Sequence, residues 1–116
     1  MDKTKQIINQ ASDAPEAIKF EDVIDAVDTE WAYTPTAFTN GSVSNDAGTN
    51  EGSCKILGLA QLHDLSKEQT LSLFGRFYRD DVLGNPDGDD HGNIRNFMVS
   101  GWDGVSFETF PLAAPE

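Results

Sequence analysis

Two short polar runs carry the side chains that could do chemistry in this chain. Asn50-Glu51-Gly52-Ser53-Cys54-Lys55 leads straight into an apolar segment, Ile56-Leu57-Gly58-Leu59-Ala60. Asp89-Asp90-His91-Gly92-Asn93-Ile94-Arg95-Asn96 stands in the same way ahead of a second apolar periodicity. Each run reads as a helix entrance. If the two entrances meet, a polar cleft forms from Asn40, Asn50, Glu51, Ser53 and Lys55 with Arg79, His91, Asn93 and Arg95. In that cleft Glu51 would orient a donor, Lys55 and Arg95 would neutralise an anionic group, and the asparagines would fix orientation. The expected ligand is a small polar molecule or a protein partner.

Cys54 offers a different chemistry. A thiol in the first turn of a helix feels the positive end of the dipole, and Lys55 adds charge, so both favour the thiolate. Gly52-Ser53-Cys54 echoes the small residues before a papain-type nucleophile, and His91 with Asn93 or Asn96 follows in Cys–His–Asn order. Against this, Lys55 replaces the expected aromatic, and the chain is too short for two lobes. His91 also falls at a helix start rather than on a strand. Free cysteine is among the most buried residue types. A structural thiol is therefore the expectation, and a small hydrolase or transferase using Cys54 and His91 is the alternative.

Metal chemistry fits less well, and neither a metal nor another cofactor is expected. One Cys and two His are too few to assume a transition-metal site of three or four ligands. With Asp87 as position one of a calcium loop, the residue that should be a bidentate Glu is Met98. A turn at Asn85-Pro86-Asp87-Gly88, followed by Asp89 or Asp90 as an N-cap, explains the same residues. His63 is expected to meet the dipole at the C-terminal end of its helix. Arg76, Arg79 and Arg95 are expected to pair with carboxylates on their own helices. No glycine-rich phosphate loop or nucleophile elbow is present.

Composition removes further classes. The 116 residues, read as one domain over 1–116, carry 20 acidic and 8 basic side chains, a net charge of −12. Binding a phosphate backbone or an anionic bilayer needs a basic surface, so neither nucleic acid nor membrane is an expected partner. A monomer or weak homodimer is expected. A lone cysteine excludes an intrachain disulfide and points to a reducing cytoplasm. The polar start lacks the apolar stretch of a secretory signal.

Periodicity supplies the elements that must position these residues. Ile7, Ile8 and Ala11 suggest a short first helix ending near Ser12-Asp13. A second helix starts at Ala14-Pro15-Glu16 and carries Phe20, Val23, Ile24, Val27 and Trp31 inward, until Thr34-Pro35 breaks it. Asn40-Gly41 marks a hairpin turn. Ser44 to Thr49 reads as loop, and Ser53 to His63 as a central helix apolar nearly all round. Ser66 and Gln69 form a capping-box pattern. That helix is expected to run with Leu71, Phe74, Phe77, Tyr78 and Val82 inward, ending by Gly84. A last helix with Ile94, Phe97 and Met98 inward stops at Gly101, and Val105 and Phe107 alternate as a strand beside the hairpin. The sum is an α+β domain, mostly helical with about five helices and a small antiparallel sheet.

With these segments in view, the chain resembles the HopJ type III effector family over essentially its whole length. The carrying residues are Phe20-Glu21-Asp22-Val23-Ile24, Phe38-Thr39-Asn40-Gly41 and Ala47-Gly48-Thr49-Asn50-Glu51-Gly52-Ser53-Cys54-Lys55. Phe77-Tyr78-Arg79-Asp80-Asp81-Val82-Leu83, Asp90-His91, Asn93-Ile94-Arg95-Asn96-Phe97-Met98 and Gly101-Trp102 continue the match. The resemblance implies a bacterial protein that resides in the cytoplasm or leaves it through a type III system. It implies no particular reaction.

Overall fold

Thr4, Ile7 and Ala11 recur at helical spacing, and all three are buried on one face of α1, Asp2–Asp13. The computed structural model describes residues 2–114. Pro15–Ala17 forms a 3-10 turn, and α2 spans Phe20–Glu30 with Val23, Ala26 and Val27 inward. The single helix expected from Ala14 onward is thus split at Ile18 and Lys19, both in extended conformation. The physical reason is tertiary. The Arg79 guanidinium donates to the carbonyls of Pro15 (3.3 Å) and Ile18 (2.9 Å), acceptors that a continuous helix would have used itself. Ile18 is wholly buried as a result.

Strands β1 (Ala32–Tyr33), β2 (Phe38–Asn40) and β3 (Val43–Asn45) follow. The hairpin turn is Gly41-Ser42 rather than Asn40-Gly41, a shift of one residue. Gly41 takes the positive φ of 61° that a tight turn requires. Asn40 instead closes β2 with its side chain completely buried. Strand β4 (Val105–Phe107) pairs antiparallel with β2, so β2 is the centre of a three-stranded sheet, with Phe38 opposite both Asn45 and Phe107. A second, two-stranded sheet pairs β1 with β5 (Leu112–Ala113), which the sequence reading did not anticipate.

Helix α3, Glu51–Leu62, is the core element, with Cys54, Ile56, Leu57, Leu59 and Ala60 all buried. The returning chain crosses it at Gly58, where a Cβ would stand 2.9 Å from Pro111 Cγ. Helix α4, Lys67–Ser72, carries the expected capping box, with Ser66 accepting from the Gln69 N–H and Gln69 reaching back.

This helix does not run on to Val82. Gly75 turns left-handed (φ 61°) against the start of α2, where a Cβ would be only 2.7 Å from the Phe20 nitrogen. Phe77–Val82 then forms a π-helical turn, in which the Leu83 N–H reaches the Tyr78 carbonyl at 3.0 Å. Helix α5, Gly92–Ser100, precedes a 3-10 turn at Gly101–Gly104 that delivers the chain to β4. Among the described residues, no helix is long and apolar enough to cross a membrane.

Candidate functional site

The entrances of α3 and α5 flank one cleft of about 390 Å³. Asn50, Gly52 and Ser53 line it from α3, and His91, Gly92 and Asn93 from α5. Phe20, Phe74 and Phe77 add an aromatic wall, with the Phe20 and Phe77 rings edge to face at 4.9 Å. Gly52 is needed for that wall, since a Cβ there would lie 2.9 Å from Phe20 Cζ.

Both entrances have the same backbone form. Asn50 (φ 49°, ψ 44°) and His91 (φ 51°, ψ 50°) are left-handed, and neither side chain caps its helix. First-turn N–H groups have no intrahelical acceptor. With no side-chain cap, those of α3 and α5 stay available, and both helix dipoles present their positive ends here.

The expected cap by Asp89 or Asp90 does not form. The Asp90 carboxylate is taken by Arg95 Nη2 at 2.6 Å, and its carbonyl by Arg95 Nε at 2.6 Å. The Arg95 guanidinium, first through its hydrogen bond, holds the Asp90 carboxyl below the usual carboxylate range.

His91 is the one imidazole among the described residues that line the cleft. Its Nε2 lies 3.0 Å from Asp81 Oδ2 and 3.9 Å from Asp90 Oδ2, and its ring sits 5.2 Å from that of Phe77. Asp81 thereby fixes the ring orientation from the π-helical turn.

Behind His91, four asparagines form a linked set. Asn40 Nδ2 donates to the Asn93 carbonyl (2.7 Å) and to Asn93 Oδ1 (3.1 Å). Asn45 Nδ2 also donates to Asn93 Oδ1 (3.1 Å), while Asn93 Nδ2 donates to Asn45 Oδ1 (3.0 Å). Asn50 Nδ2 donates to the same Asn45 Oδ1 at 2.7 Å. The set ties the hairpin, α5 and the α3 entrance into one unit. Asn96 adds a tie to the turn, accepting from Ser42 Oγ at 2.8 Å and donating to the Gly92 carbonyl at 2.9 Å.

The structure thus brings Asn50, Ser53, His91 and Asn93 to one cleft and leaves the other expected residues elsewhere. Asn40 lies behind Asn93, buried, as a support. Glu51 is exposed and acts on Tyr33, whose hydroxyl pKa is raised by burial first and then by Cys54 and Glu51. Lys55 pairs with Asp28 at 2.8 Å and lies 4.9 Å from the Tyr33 ring centroid.

The arginines also differ from expectation. Arg79 is spent on the Pro15 and Ile18 carbonyls, Arg95 holds the loop before α5, and Arg76 pairs with Glu21 of α2 rather than with its own helix. His63 does end α3, exposed, with its ring 6.2 Å from Trp31.

Cys54 is 1% exposed and does not line the cleft with His91. Burial pushes its thiol pKa up, outweighing the Tyr33 hydroxyl, the Thr36 backbone and Lys55, which act the other way. The sequence reading missed Asn45, Asp81 and the aromatic wall. Asp81 lay inside the Phe77–Leu83 motif, but nothing in the spacing tied it to His91.

These elements define a small α+β domain with a cleft between two uncapped helix entrances. The chain belongs to the HopJ type III effector protein family, whose pattern matches residues 4–112. It is similar to a solved structure described as the crystal structure of unknown function protein VPA0580. That similarity has a TM-score of 0.93 and 50% identity, covering 96% of this chain and 92% of the other. A comparison with curated proteins gave no match.

Proposed function

We propose that this HopJ-family protein acts by binding, and that a small polar ligand with an aromatic or aliphatic body occupies the cleft between the α3 and α5 entrances. One observation carries the reading: Asn50, Ser53, His91 and Asn93 share the cleft with Phe20, Phe74 and Phe77. Orienting polar groups against an apolar wall are the usual composition of a small-molecule site. The first-turn N–H groups and Ser53 would meet the ligand's acceptors, His91 its exchangeable proton, and the phenylalanines its body. With no Lys or Arg on the lining, orientation rather than ion pairing sets specificity.

The test is protein-observed NMR of the labelled chain, titrated with a set of small aromatic and aliphatic acids and amides. Amide shifts are expected at Gly52, Ser53, Gly92 and Asn93, and Asn50→Ala or His91→Ala is expected to weaken the hits at least tenfold. Equal weakening by Ser106→Ala, an exposed strand control, rules the assignment out.

The alternative of a thiol enzyme is supported by no geometry, since the Cys54 thiol is buried, its pKa is pushed up by that burial, and it does not line the cleft with His91. The family's description supports a route in which the protein, made in a bacterial cytoplasm, leaves through a type III system. A reporter fusion lost from the medium of a secretion-deficient strain tests that route.

A further inference from the structure

On the other side of α5, a second groove of about 190 Å³ runs between that helix and the π-helical turn, lined by Val82, Leu83, Pro86, Arg95, Met98 and Val99. Its two ridges are exposed apolar side chains, with Leu83 at 49% and Val99 at 85% relative exposure. Val82, at 1%, is its buried floor. Scattered exposed hydrophobics are ordinary, but a grooved pair beside an excess of one charge is a recognition pattern.

The charge is acidic. Asp80 and Asp81 precede Val82, Asp87 follows Pro86, and Asp89, Asp90 and Asp103 lie within a few residues of α5. The cations near them are engaged: Arg79 on two carbonyls, Lys67 on the Met98 carbonyl at 3.2 Å, and Arg95 on Asp90 with the Pro86 carbonyl. Asp81 and Asp90 face His91 or Arg95, whereas Asp80, Asp87, Asp89 and Asp103 have no ion pair among the described residues.

We infer that this groove docks a basic amphipathic helix of another protein, with an apolar stripe seated between Leu83 and Val99 and Lys or Arg flanks facing the aspartates. Complementary charge selects that occupant, and the net charge of −12 works against a second copy of this chain. The groove lies outside the ligand cleft, so the inference stands or falls separately from the proposed function.

The experiment uses fluorescence anisotropy with three synthetic helical peptides: leucine-striped with lysine flanks, leucine-striped with glutamate flanks, and lysine-rich without the stripe. The full chain is expected to bind only the first, and at least tenfold more weakly on raising salt from 50 to 300 mM, which shortens the Debye length from roughly 14 Å to about 6 Å. Val99→Glu changes a side chain that faces solvent and is expected to fold normally. It should weaken binding at least tenfold, while Leu62→Glu, an exposed apolar control at 42%, should not. Unchanged binding to Val99→Glu, or equal binding of either other peptide, overturns the inference. So does sedimentation showing a dimer that Val99→Glu dissolves, which assigns the groove to a second copy.

Discussion

Asn45 is a buried amide whose two ends face opposite kinds of partner. Its Nδ2 points at the Phe38 carbonyl (3.3 Å) and Asn93 Oδ1 (3.1 Å), both acceptors. Its Oδ1 receives Asn93 Nδ2 (3.0 Å) and Asn50 Nδ2 (2.7 Å), both donors. Asn45→Asp keeps the shape and turns the donating end into an acceptor. When the new side chain is protonated, its O–H can serve one of the two acceptors, so about one net hydrogen bond is lost, roughly 0.5–1.5 kcal/mol. When it ionises, a carboxylate 4% exposed faces two oxygens. Burial and that repulsion raise its folded pKa, by about two units on typical experience of such sites, and each unit adds about 1.4 kcal/mol. The deficit against the parent is therefore small below about pH 3.5, grows as pH rises past the unfolded value of about 3.9, and levels at about 3–4 kcal/mol by pH 7. Urea unfolding of parent, Asn45→Asp and Asn45→Ala at pH 3.5 and pH 7 measures it. The alanine variant removes the same bonds without a titrating group and should show a deficit that does not depend on pH. An aspartate deficit equal at both pH values refutes the sealed asparagine set and, with it, the rigid wall behind His91.

Three other outcomes follow from single contacts. Iodoacetamide should leave native Cys54 unlabelled at pH 8 and label it fully in urea, because the thiol is buried and its pKa is raised; rapid native labelling contradicts the burial. Glu30 should make stability fall at low pH. Burial pushes its carboxyl up, but the Thr4 hydroxyl and the Thr4 and Lys3 N–H groups pull it down to about 2. A depressed folded pKa means this contribution is complete above about pH 4.5 and is lost as pH falls toward 2, so the gap between parent and Glu30→Gln should close over that range. Gly75→Ala should destabilise by more than about 2 kcal/mol, since the left-handed φ costs about 1–2 kcal/mol for a residue with a Cβ and that Cβ also meets the Phe20 nitrogen at 2.7 Å. A near-neutral urea midpoint would mean that the α2–α4 junction can open at little cost.

What could be read from the chain divides along the range of the interactions involved. The capping box at Ser66 and Gln69, the apolar girth of α3 and the strand at Val105–Phe107 are set by neighbours a few residues away, and local rules placed them. The split before α2 and the end of α4 are not local. One depends on Arg79 reaching carbonyls more than sixty residues back along the chain, the other on Gly75 meeting the Phe20 backbone.

The cleft shows the same division within a single site. Its two rims were visible as polar runs before apolar ones, because a helix entrance has a composition of its own. Which polar side chains face inward was not visible, because it depends on what each meets across the fold. Arg95 and Lys55 find carboxylates before they find the cleft, and Asn40 turns inward because β2 ends one residue later than its Asn-Gly signal implies. The residue that aims His91 comes from the π-helical turn. Carrying the chain by five residues rather than four, that turn lies beyond the reach of helical periodicity, and only packing could bring Asp81 within 3.0 Å of the imidazole.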